Sequence, residues 1–462
     1  MPTENAGMTL IKSISGIRGT IGGKSGNNLT PIDIVECTAG FGMWVIKGGR
    51  NKKIVVGRDG RISGEIVRDL SISTLLSMGI DVVDLGLSTT PTVEMMVKKL
   101  HAGAGIIFTA SHNPKQWNAL KFLNEAGEFI SAADGTQILK YIDDKNMEFA
   151  QVEALGTLSE YDNHISDHIE DILAMPYINR QLISERKLKV VVDCINSTGA
   201  LAVPPLLDKL EVEYILINEA SFGHFAHNPE PLAEHLTGLS EAVRASGAHM
   251  GISVDPDVDR LAFVCEDGSM FGEEYTLVAV ADFMLSKNPG KNTVSNLSST
   301  RALADITKKH GGNYFASAVG EVNVVEMMKK QHALIGGEGN GGVIIPELHY
   351  GRDALAGIAI FLTHVAEQNI PLTTLKNMYP SYQMIKDKIQ LTPDVHVDKI
   401  IHNLKEAFKD EILNEIDGLK IDFEEGWVHL RQSNTEPIIR VYAEAADEVM
   451  AKTLIHRVKS IL

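Results

Sequence analysis

The sequence predicts an α/β protein of four domains, namely three similar mixed α/β sheet domains and a C-terminal α+β domain, around one central cleft. Two observations support this prediction. Short β-branched runs alternate with helical stretches in three successive sets, which is typical of βαβ units and largely parallel sheets. The last run of each set ends in an unusual loop, and ligands of open α/β sheets gather beyond the carboxyl ends of strands.

The predicted strands follow the same order in each set. They are residues 53–59, 80–85 and 105–110, then 188–193, 213–217 and 250–254, then 292–296, 313–316 and 333–335. A different order begins near residue 378, with a helix at 397–412, strands at 418–423, 427–431 and 438–443, and a last helix. These patterns predict domains at 1–155, 156–257, 258–376 and 377–462.

The composition excludes several classes of protein. Of the 462 residues, 44% are hydrophobic and 22% are charged, as in ordinary globular proteins. The net charge of −17 argues against a nucleic-acid partner, and no apolar run is long enough for a membrane span. Cys37, Cys194 and Cys265 lie far apart, which predicts reduced thiols and a cytoplasmic location. No heptad run or apolar stripe indicates an oligomeric state.

The loop after the first set reads TASHNP, and it places Ser111 at the end of an apolar run that Pro114 stops. A hydrolase serine would stand in a G-x-S-x-G turn, which the sequence lacks here. Two interpretations stay open, a turn serine without chemistry and a phosphoserine beside a metal. His112 would act as a base or orient the loop, and Lys121 would supply a charge or a proton.

The loop after the second set reads DPDVDR and carries Asp255, Asp257 and Asp259 at alternate positions. Clustered carboxylates raise one another's pKa unless a cation lies among them, and hard oxygen ligands suit Mg²⁺ or Ca²⁺. A calcium-binding EF-hand is disfavoured, because Arg260 stands where that loop requires glycine. A solvated acidic turn is the alternative, and the apolar runs on both sides argue against it.

Two further loops have the chemistry of binding sites. In GEGNGG, residues 337–342, Glu338 and Asn340 stand among glycines, which predicts either contact with sugar hydroxyls or a flexible loop. Residues 431–440, RQSNTEPIIR, combine two guanidinium groups with hydroxyls and an amide. That set suits an anion, although an ordinary turn between two strands is the alternative.

Together these loops resemble the motifs of the α-D-phosphohexomutase family, in the same order and over the whole chain. The motifs are TASHNP, D-x-D-x-D-R, G-E-x-[SN]-G and R-x-S-x-T-E-P, and SGIRG at residues 15–19 is similar to the N-terminal G-I-R-G of the family. The form G-E-x-N-G-G resembles phosphoglucosamine mutases and archaeal-type phosphoglucomutase/phosphomannomutases. The resemblance therefore implies a phosphosugar mutase.

The resemblance also implies roles for particular residues. Ser111 would carry the phosphoryl group, and Mg²⁺ would bind among Ser111, Asp255, Asp257 and Asp259. The implied catalytic residues are Ser111, His112, Lys121, Arg18 and Arg260. Those implied to bind the substrate are Gly320, Glu321, Glu338, Asn340, Arg431, Ser433, Asn434, Thr435 and Arg440.

One position departs from the pattern of the family. Members with G-E-x-S-G-H have a histidine where this chain has Gly342, and Asn340 replaces their serine. An acid or base role for that histidine is therefore lost here. His349 is near enough in sequence to compensate, but a polar loop residue is the favoured interpretation.

We therefore expect a phosphohexomutase that acts through a hexose 1,6-bisphosphate, which also serves as its activator. A phosphorylated hexose is the expected partner, and conversion of glucosamine 6-phosphate to glucosamine 1-phosphate is the favoured reaction. A phosphoglucomutase/phosphomannomutase of broad specificity is the first alternative. A phosphosugar-binding protein without catalysis is the second, and the intact Ser111, aspartates and Lys121 argue against it.

Overall fold

A computed structural model describes residues 8–13, 16–391, 397–432 and 438–461. They divide into two compact units. The first unit comprises the described residues of Met1–Thr276 and Asn340–Thr373, and the second those of Leu277–Gly339 and Thr374–Leu462. Within the described residues, no helix combines the length and the apolar character that crossing a membrane would require.

The first sheet of the first unit is mixed, with strand order β1-β2-β6-β5-β3-β4-β7. Strands β3, β4, β5 and β7 run parallel to one another, whereas β6, β2 and β1 continue the sheet in antiparallel pairs. Its elements in chain order are β1 (Ile11–Ser13), β2 (Gly16–Thr20), α1 (Pro31–Lys47), β3 (Lys53–Arg58), α2 (Gly64–Ser77), β4 (Asp81–Leu87), α3 (Thr90–Lys99), β5 (Ala104–Phe108), β6 (Trp117–Leu123), α4 (Ala132–Asp144) and β7 (Leu158–Glu160).

The second sheet of this unit has the order β11-β10-β8-β9. Strand β11, the last of these along the chain, pairs antiparallel with β10. Its elements are α5 (His164–Leu173), α6 (Arg180–Glu185), β8 (Lys189–Asp193), α7 (Gly199–Lys209), β9 (Glu213–Ile217), α8 (Thr237–Ser246), β10 (Met250–Val254) and β11 (Leu261–Cys265). The sheet thus continues past residue 257, where we expected a domain to end. The domain boundaries stay predictions.

The second unit contains a parallel sheet in the order β13-β12-β14. After α9 (Glu273–Lys287), which begins in the first unit, come β12 (Thr293–Asn296), α10 (Ala302–Lys309), β13 (Tyr314–Ser317), α11 (Glu321–Gln331) and β14 (Ile335–Glu338). The chain then returns to the first unit with β15 (Gly342–Ile344) and α12 (Ala354–Gln368). Helix α12 is buried over most of its length and packs against α5, α6 and α7.

The C-terminal part of the second unit is an antiparallel sheet in the order β16-β20-β19-β18-β17. Its elements are α13 (Leu372–Lys376), β16 (Gln383–Gln390), α14 (Val397–Ala407), β17 (Ile412–Asn414), β18 (Leu419–Asp422), β19 (Gly426–Gln432), β20 (Ile438–Ala445) and α15 (Glu448–Lys459). The helix expected at 397–412 ends at Ala407, so its predicted end was wrong. Residues from Ile412 instead pair with β18, because Leu413 packs against the core of this sheet.

Candidate active site

Ser111 lies just beyond β5, whose five residues are all buried. Its backbone has φ of 48°, in the left-handed region that non-glycine residues seldom adopt. The side chain is 6% exposed, and its Oγ donates a hydrogen bond of 2.7 Å to Asp255 Oδ2. The structure therefore joins the serine loop of the first sheet to the aspartate loop that follows β10.

A buried arginine, Arg61, holds the serine loop in this conformation. Its guanidinium pairs with Asp59 at 3.0 Å and donates hydrogen bonds to the main-chain carbonyls of Ser111, Asn113, Pro114 and Trp117. The Asp59 carboxylate also accepts a bond of 2.7 Å from the Thr109 hydroxyl, which in turn accepts from the Ser111 amide. These bonds fix the backbone on both sides of Ser111, so the hydroxyl is placed before any ligand arrives.

The three aspartates of the second loop form a buried cluster. One carboxylate oxygen from each of Asp255, Asp257 and Asp259 lies within 4.8 Å of the others, and all three side chains are fully buried. Burial and the two neighbouring carboxylates raise the pKa of Asp255 well above its usual range. The Oδ1 atoms of Asp257 and Asp259 are buried and accept no hydrogen bond from the residues that the structure describes. Oxygen atoms left in this state fit a hard divalent cation, so the cluster is able to hold a metal.

Lys121 compensates part of this negative charge. It lies on β6, and its Nζ is 2.9 Å from Asp257 Oδ2 and 3.8 Å from Asp259 Oδ2. Burial opposes its positive charge, but the two carboxylates outweigh that effect and raise the pKa of Lys121. Burial would likewise raise the pKa of Asp257, but Lys121 and the Thr90 hydroxyl, 2.6 Å away, hold it below the usual range. Lys121 is thus a permanent ammonium at the edge of the cluster.

His112 and Arg260 belong to the same two loops. The Nδ1 of His112 is buried and forms no hydrogen bond to the residues that the structure describes. Burial and the positive charge of Arg260, with further effects from Arg352 and Lys121, lower the pKa of His112 to about 2. Its imidazole is therefore neutral. Arg260 is buried and pairs with Glu230 at 3.3 Å.

Arg18 is placed by the antiparallel strands that the sequence patterns did not predict. On β2 it stands opposite Ala119 of β6, and Ala119 is two residues from Lys121. Side chains opposite each other in an antiparallel pair, and those two residues apart on one strand, lie on the same face of a sheet. Arg18 and Lys121 therefore project from one face.

In the second unit, Gly320 and Glu338 come together at the carboxyl ends of β13 and β14. The Glu338 carboxylate is buried and accepts hydrogen bonds from the Gly320 amide at 3.2 Å and the Asn296 side chain at 3.0 Å. Gly320 has φ of 113°, which a side chain would strain, and Glu321 begins α11 directly after it. Asn340 belongs to the first unit, where its Oδ1 accepts a bond of 3.2 Å from the Gly342 amide.

Arg431 and Arg440 stand opposite each other on β19 and β20. Arg431 is 3.4 Å from Asp417, whose carboxylate also accepts a bond of 3.0 Å from the Val319 amide, next to Gly320. Asp417 thus joins the first arginine of the predicted anion site to the sugar loop. Ser433, Asn434 and Thr435, which were also predicted to bind phosphate, lie outside the described residues.

The site contains three further residues that the sequence did not predict. Arg61 supports the serine loop, Thr90 bonds Asp257, and Arg352 donates a bond of 2.7 Å to Asp259 Oδ2. Arg61 follows β3 in the sequence RDGR, and a charged turn at the carboxyl end of a central strand is the signal that could have located it. Thr90 and Arg352 have no comparable signal.

Four family models match the chain in succession. They are described as phosphoglucomutase/phosphomannomutase alpha/beta/alpha domains I, II and III and C-terminal domain, and they cover residues 10–148, 166–268, 272–382 and 391–461. A phosphoglucomutase/phosphomannomutase of Thermococcus kodakarensis is 34% identical over 94% of this chain and 95% of its own. A phosphoglucosamine/phosphogalactosamine mutase of Sulfurisphaera tokodaii is 30% identical over 97% and 98%.

Among solved structures, a phosphoglucomutase/phosphomannomutase family protein from Burkholderia thailandensis is similar with a TM-score of 0.85. It is 26% identical and covers 97% of this chain and 96% of its own. Sequence and structure thus agree on the class of protein, a four-domain phosphohexomutase, which is an enzyme of the isomerase type. The chain belongs to the phosphoglucomutase/phosphomannomutase family.

Proposed function

We propose that the protein moves a phosphoryl group between the 6- and 1-positions of a hexose by way of phosphorylated Ser111 and a hexose 1,6-bisphosphate. The observation that carries the proposal is the 2.7 Å bond between Ser111 Oγ and Asp255, inside a cluster of three buried aspartates. Phosphoryl transfer depends mainly on positioning and on compensation of charge, and this arrangement supplies both.

In this mechanism the serine loop positions the phosphoryl group that the hydroxyl carries. Arg61 holds the carbonyls of Ser111 and Asn113, so the Oγ keeps one direction between half-reactions. Asp255, Asp257 and Asp259 would hold Mg²⁺, which when bound would compensate negative charge on the phosphoryl oxygens. Lys121 adds a fixed positive charge beside the cluster.

The proton that leaves the attacking sugar hydroxyl requires an acceptor near Ser111. Lys121 stays protonated beside Asp257 and acts as a charge in this scheme. His112 is neutral, which leaves one ring nitrogen able to accept a proton, although its lowered pKa makes it a weak base. We assign His112 this role together with orientation of the loop, and we assign Arg18 and Arg260 to the phosphate charge.

Recognition of the substrate is assigned to the remaining predicted residues. We propose that Glu338, Gly320, Glu321 and Asn340 contact the sugar. Arg431, Arg440 and the loop between them, which includes Ser433, Asn434 and Thr435, would hold the phosphate that does not react. Two arginines opposite each other on paired strands present several N–H donors to one anion, which is the usual chemistry of phosphate sites.

The favoured substrate is glucosamine 6-phosphate, and phosphorylated glucose and mannose are the alternative. The relative from Sulfurisphaera tokodaii is named for amino sugars, whereas the relative from Thermococcus kodakarensis is named for glucose and mannose. Mg²⁺ and a hexose 1,6-bisphosphate activator complete the proposal. We expect the enzyme to act in the cytoplasm, consistent with three free, buried cysteines.

A competition assay tests the reaction and the choice of sugar together. The protein is incubated with Mg²⁺, a trace of hexose 1,6-bisphosphate, and equal amounts of glucosamine, glucose and mannose 6-phosphates, and ³¹P NMR follows each 1-phosphate. We expect glucosamine 1-phosphate to form first. Comparable rates for glucose and mannose would make it a general hexose mutase. Binding of the three sugars without turnover would leave the non-catalytic phosphosugar-binding protein.

A further inference from the structure

Gly342 leaves room for the side chain of Arg352. A Cβ atom added at Gly342 would lie 2.2 Å from Arg352 Cδ and 2.9 Å from its Cγ, well inside the distance that real Cβ atoms keep. Both residues are buried, and the chain brings them together where Arg352 forms an antiparallel bridge with Ile344 of β15. Any side chain at position 342 therefore has to displace Arg352.

The space is used to bring a guanidinium to the aspartate cluster. Arg352 Nη2 donates a hydrogen bond of 2.7 Å to Asp259 Oδ2, and the pair is buried, with 9% of the arginine side chain and none of the aspartate exposed. The other oxygen of Asp259, Oδ1, accepts no hydrogen bond from the described residues. One oxygen of this carboxylate is thus held by Arg352, while the other lies 4.0 Å from Arg260 Nε.

The backbone of Arg352 is itself fixed by the contacts of the next residue, Asp353. The Asp353 carboxylate caps α12 by accepting from the Ala356 amide at 3.0 Å, and it bonds His168 at 2.8 Å and His349 at 3.2 Å. His349 also pairs with Glu94 at 3.2 Å. His349, half-buried in the loop before Arg352, is therefore part of an array that fixes the segment carrying Arg352.

We propose that Arg352 is a positioning residue for Asp259, and that position 342 is glycine because the stem of Arg352 occupies the space above it. The inference deepens the proposed function and rests on it, since it takes the three aspartates as the metal site. Groups that bind the second oxygen of a carboxylate ligand orient the first and tune the site. In this chain the stem of Arg352 thus fills the space beside position 342, and its guanidinium is fixed to Asp259.

The test uses the single variants Arg352→Ala, Arg352→Lys and Gly342→Ala, and the double variant Gly342→Ala/Arg352→Ala. Arg352→Ala should weaken binding of Mg²⁺ to the dephosphorylated protein about 10-fold, measured by titration calorimetry, because loss of such a partner costs ~10–100-fold in metal affinity. It should also lower kcat ~100-fold with little change in KM, whereas Arg352→Lys should recover part of both. Gly342→Ala should show the same losses, because its Cβ displaces Arg352.

The double variant Gly342→Ala/Arg352→Ala separates this account from two independent defects. If the methyl group acts only through Arg352, the double variant binds Mg²⁺ no more weakly than Arg352→Ala does. Losses that multiply would overturn the proposal. So would unchanged Mg²⁺ affinity in Arg352→Ala together with a lowered melting temperature, since that combination means a structural role alone.

A control variant and the choice of measurement complete the design. Arg180→Ala removes an exposed arginine of the same unit that bonds only the Lys209 carbonyl in the described structure, and it should leave Mg²⁺ affinity and kcat unchanged. The calorimetric measurement also separates the two proposals. If the unaltered protein showed no mutase activity, the proposed reaction would fail, while the Mg²⁺ titrations would still decide the role of Arg352.

Discussion

The region around Ser111 and the region around Arg431 differ in how deeply their charged groups are buried and how closely these groups are paired. In the first, Asp255, Asp257 and Asp259 are fully buried, and protein donors hold part of each carboxylate. In the second, the pair between Arg431 and Asp417 is long, at 3.4 Å, and its side chains are 19% and 25% exposed. Preorganised, buried groups suit chemistry, whereas loosely paired, partly exposed groups suit a ligand that binds, reorients and leaves.

Among the variants that compare the two regions, the largest effect should follow from a change in the aspartate cluster. Asp257→Asn removes one ligand charge and leaves Lys121 without its closest carboxylate, 2.9 Å away. We expect kcat to fall by about 10³-fold with little change in KM, because the loss falls on the transition state. Steady-state kinetics at saturating Mg²⁺ measure this. Asp171→Asn, at a solvent-exposed ion pair, is the matched control, and an equal loss there would contradict the assignment.

The next effect concerns stability. Arg61→Ala removes the partner of buried Asp59 and the donors to four carbonyls of the serine loop. We expect the free energy of unfolding to fall by about 3–5 kcal/mol, as when one partner of a buried pair is lost. Urea unfolding measures it. Lys47→Ala, at an exposed pair with Glu148, should cost less than ~1 kcal/mol, and similar costs for the two variants would refute the role of Arg61.

A change in the second region should affect binding more than turnover. Arg431→Gln removes one guanidinium of the proposed phosphate site, and hydrogen bonds to charged groups contribute ~1.5–3 kcal/mol, which is about 10–100-fold in KM. Initial-rate kinetics with the preferred sugar phosphate measure it. Arg457→Gln, on α15 of the same unit and 49% exposed, should leave KM unchanged. A fall in kcat alone would place Arg431 in the chemistry and remove the contrast between the regions.

The smallest effect is a change in pH dependence. Burial opposes the charge of His349, but Asp353 and Glu94 raise its pKa to about 10, against ~6.5 in the unfolded chain. Its contribution to stability is therefore complete below pH ~6.5 and is lost as the pH rises toward 10. His349→Gln should reduce the difference in unfolding free energy between pH 7 and pH 9.5. An unchanged difference would mean that His349 is neutral in the folded protein.

The sequence could predict the parts of the fold that depend on buried, β-branched runs. The cores of β3, β5, β8 and β10 stand where these runs indicated, and the loops that follow β5 and β10 meet as the topology of open sheets requires. Strand β6 was missed because its sequence, WNALKFL, places Lys121 inside an apolar strand. In the structure its ammonium pairs with Asp257 and Asp259 of the loop that follows β10.

The site was predictable where a motif had its own chemistry, as in the aspartate loop. Supporting residues were not, because their roles come from tertiary contacts. The RDGR turn marks Arg61 only as a charged residue after a strand, and Arg352 has no such signal. Only the structure shows which carbonyls and which carboxylate they hold. In the sequence, Gly342 stood out only because it replaces a histidine of the family. In the structure, the absence of a side chain there leaves the space that Arg352 fills.

The central claim is that Ser111 carries the phosphoryl group, and mass spectrometry tests it most directly. The protein is incubated with Mg²⁺ and hexose 1,6-bisphosphate, quenched in acid and digested, and the phosphorylated peptide is sequenced beside that of Ser111→Ala. We expect phosphate on Ser111, and in the variant no phosphate and an activity at least about 10⁴-fold lower. Phosphate on another residue, or full mutase activity in Ser111→Ala, would contradict the account.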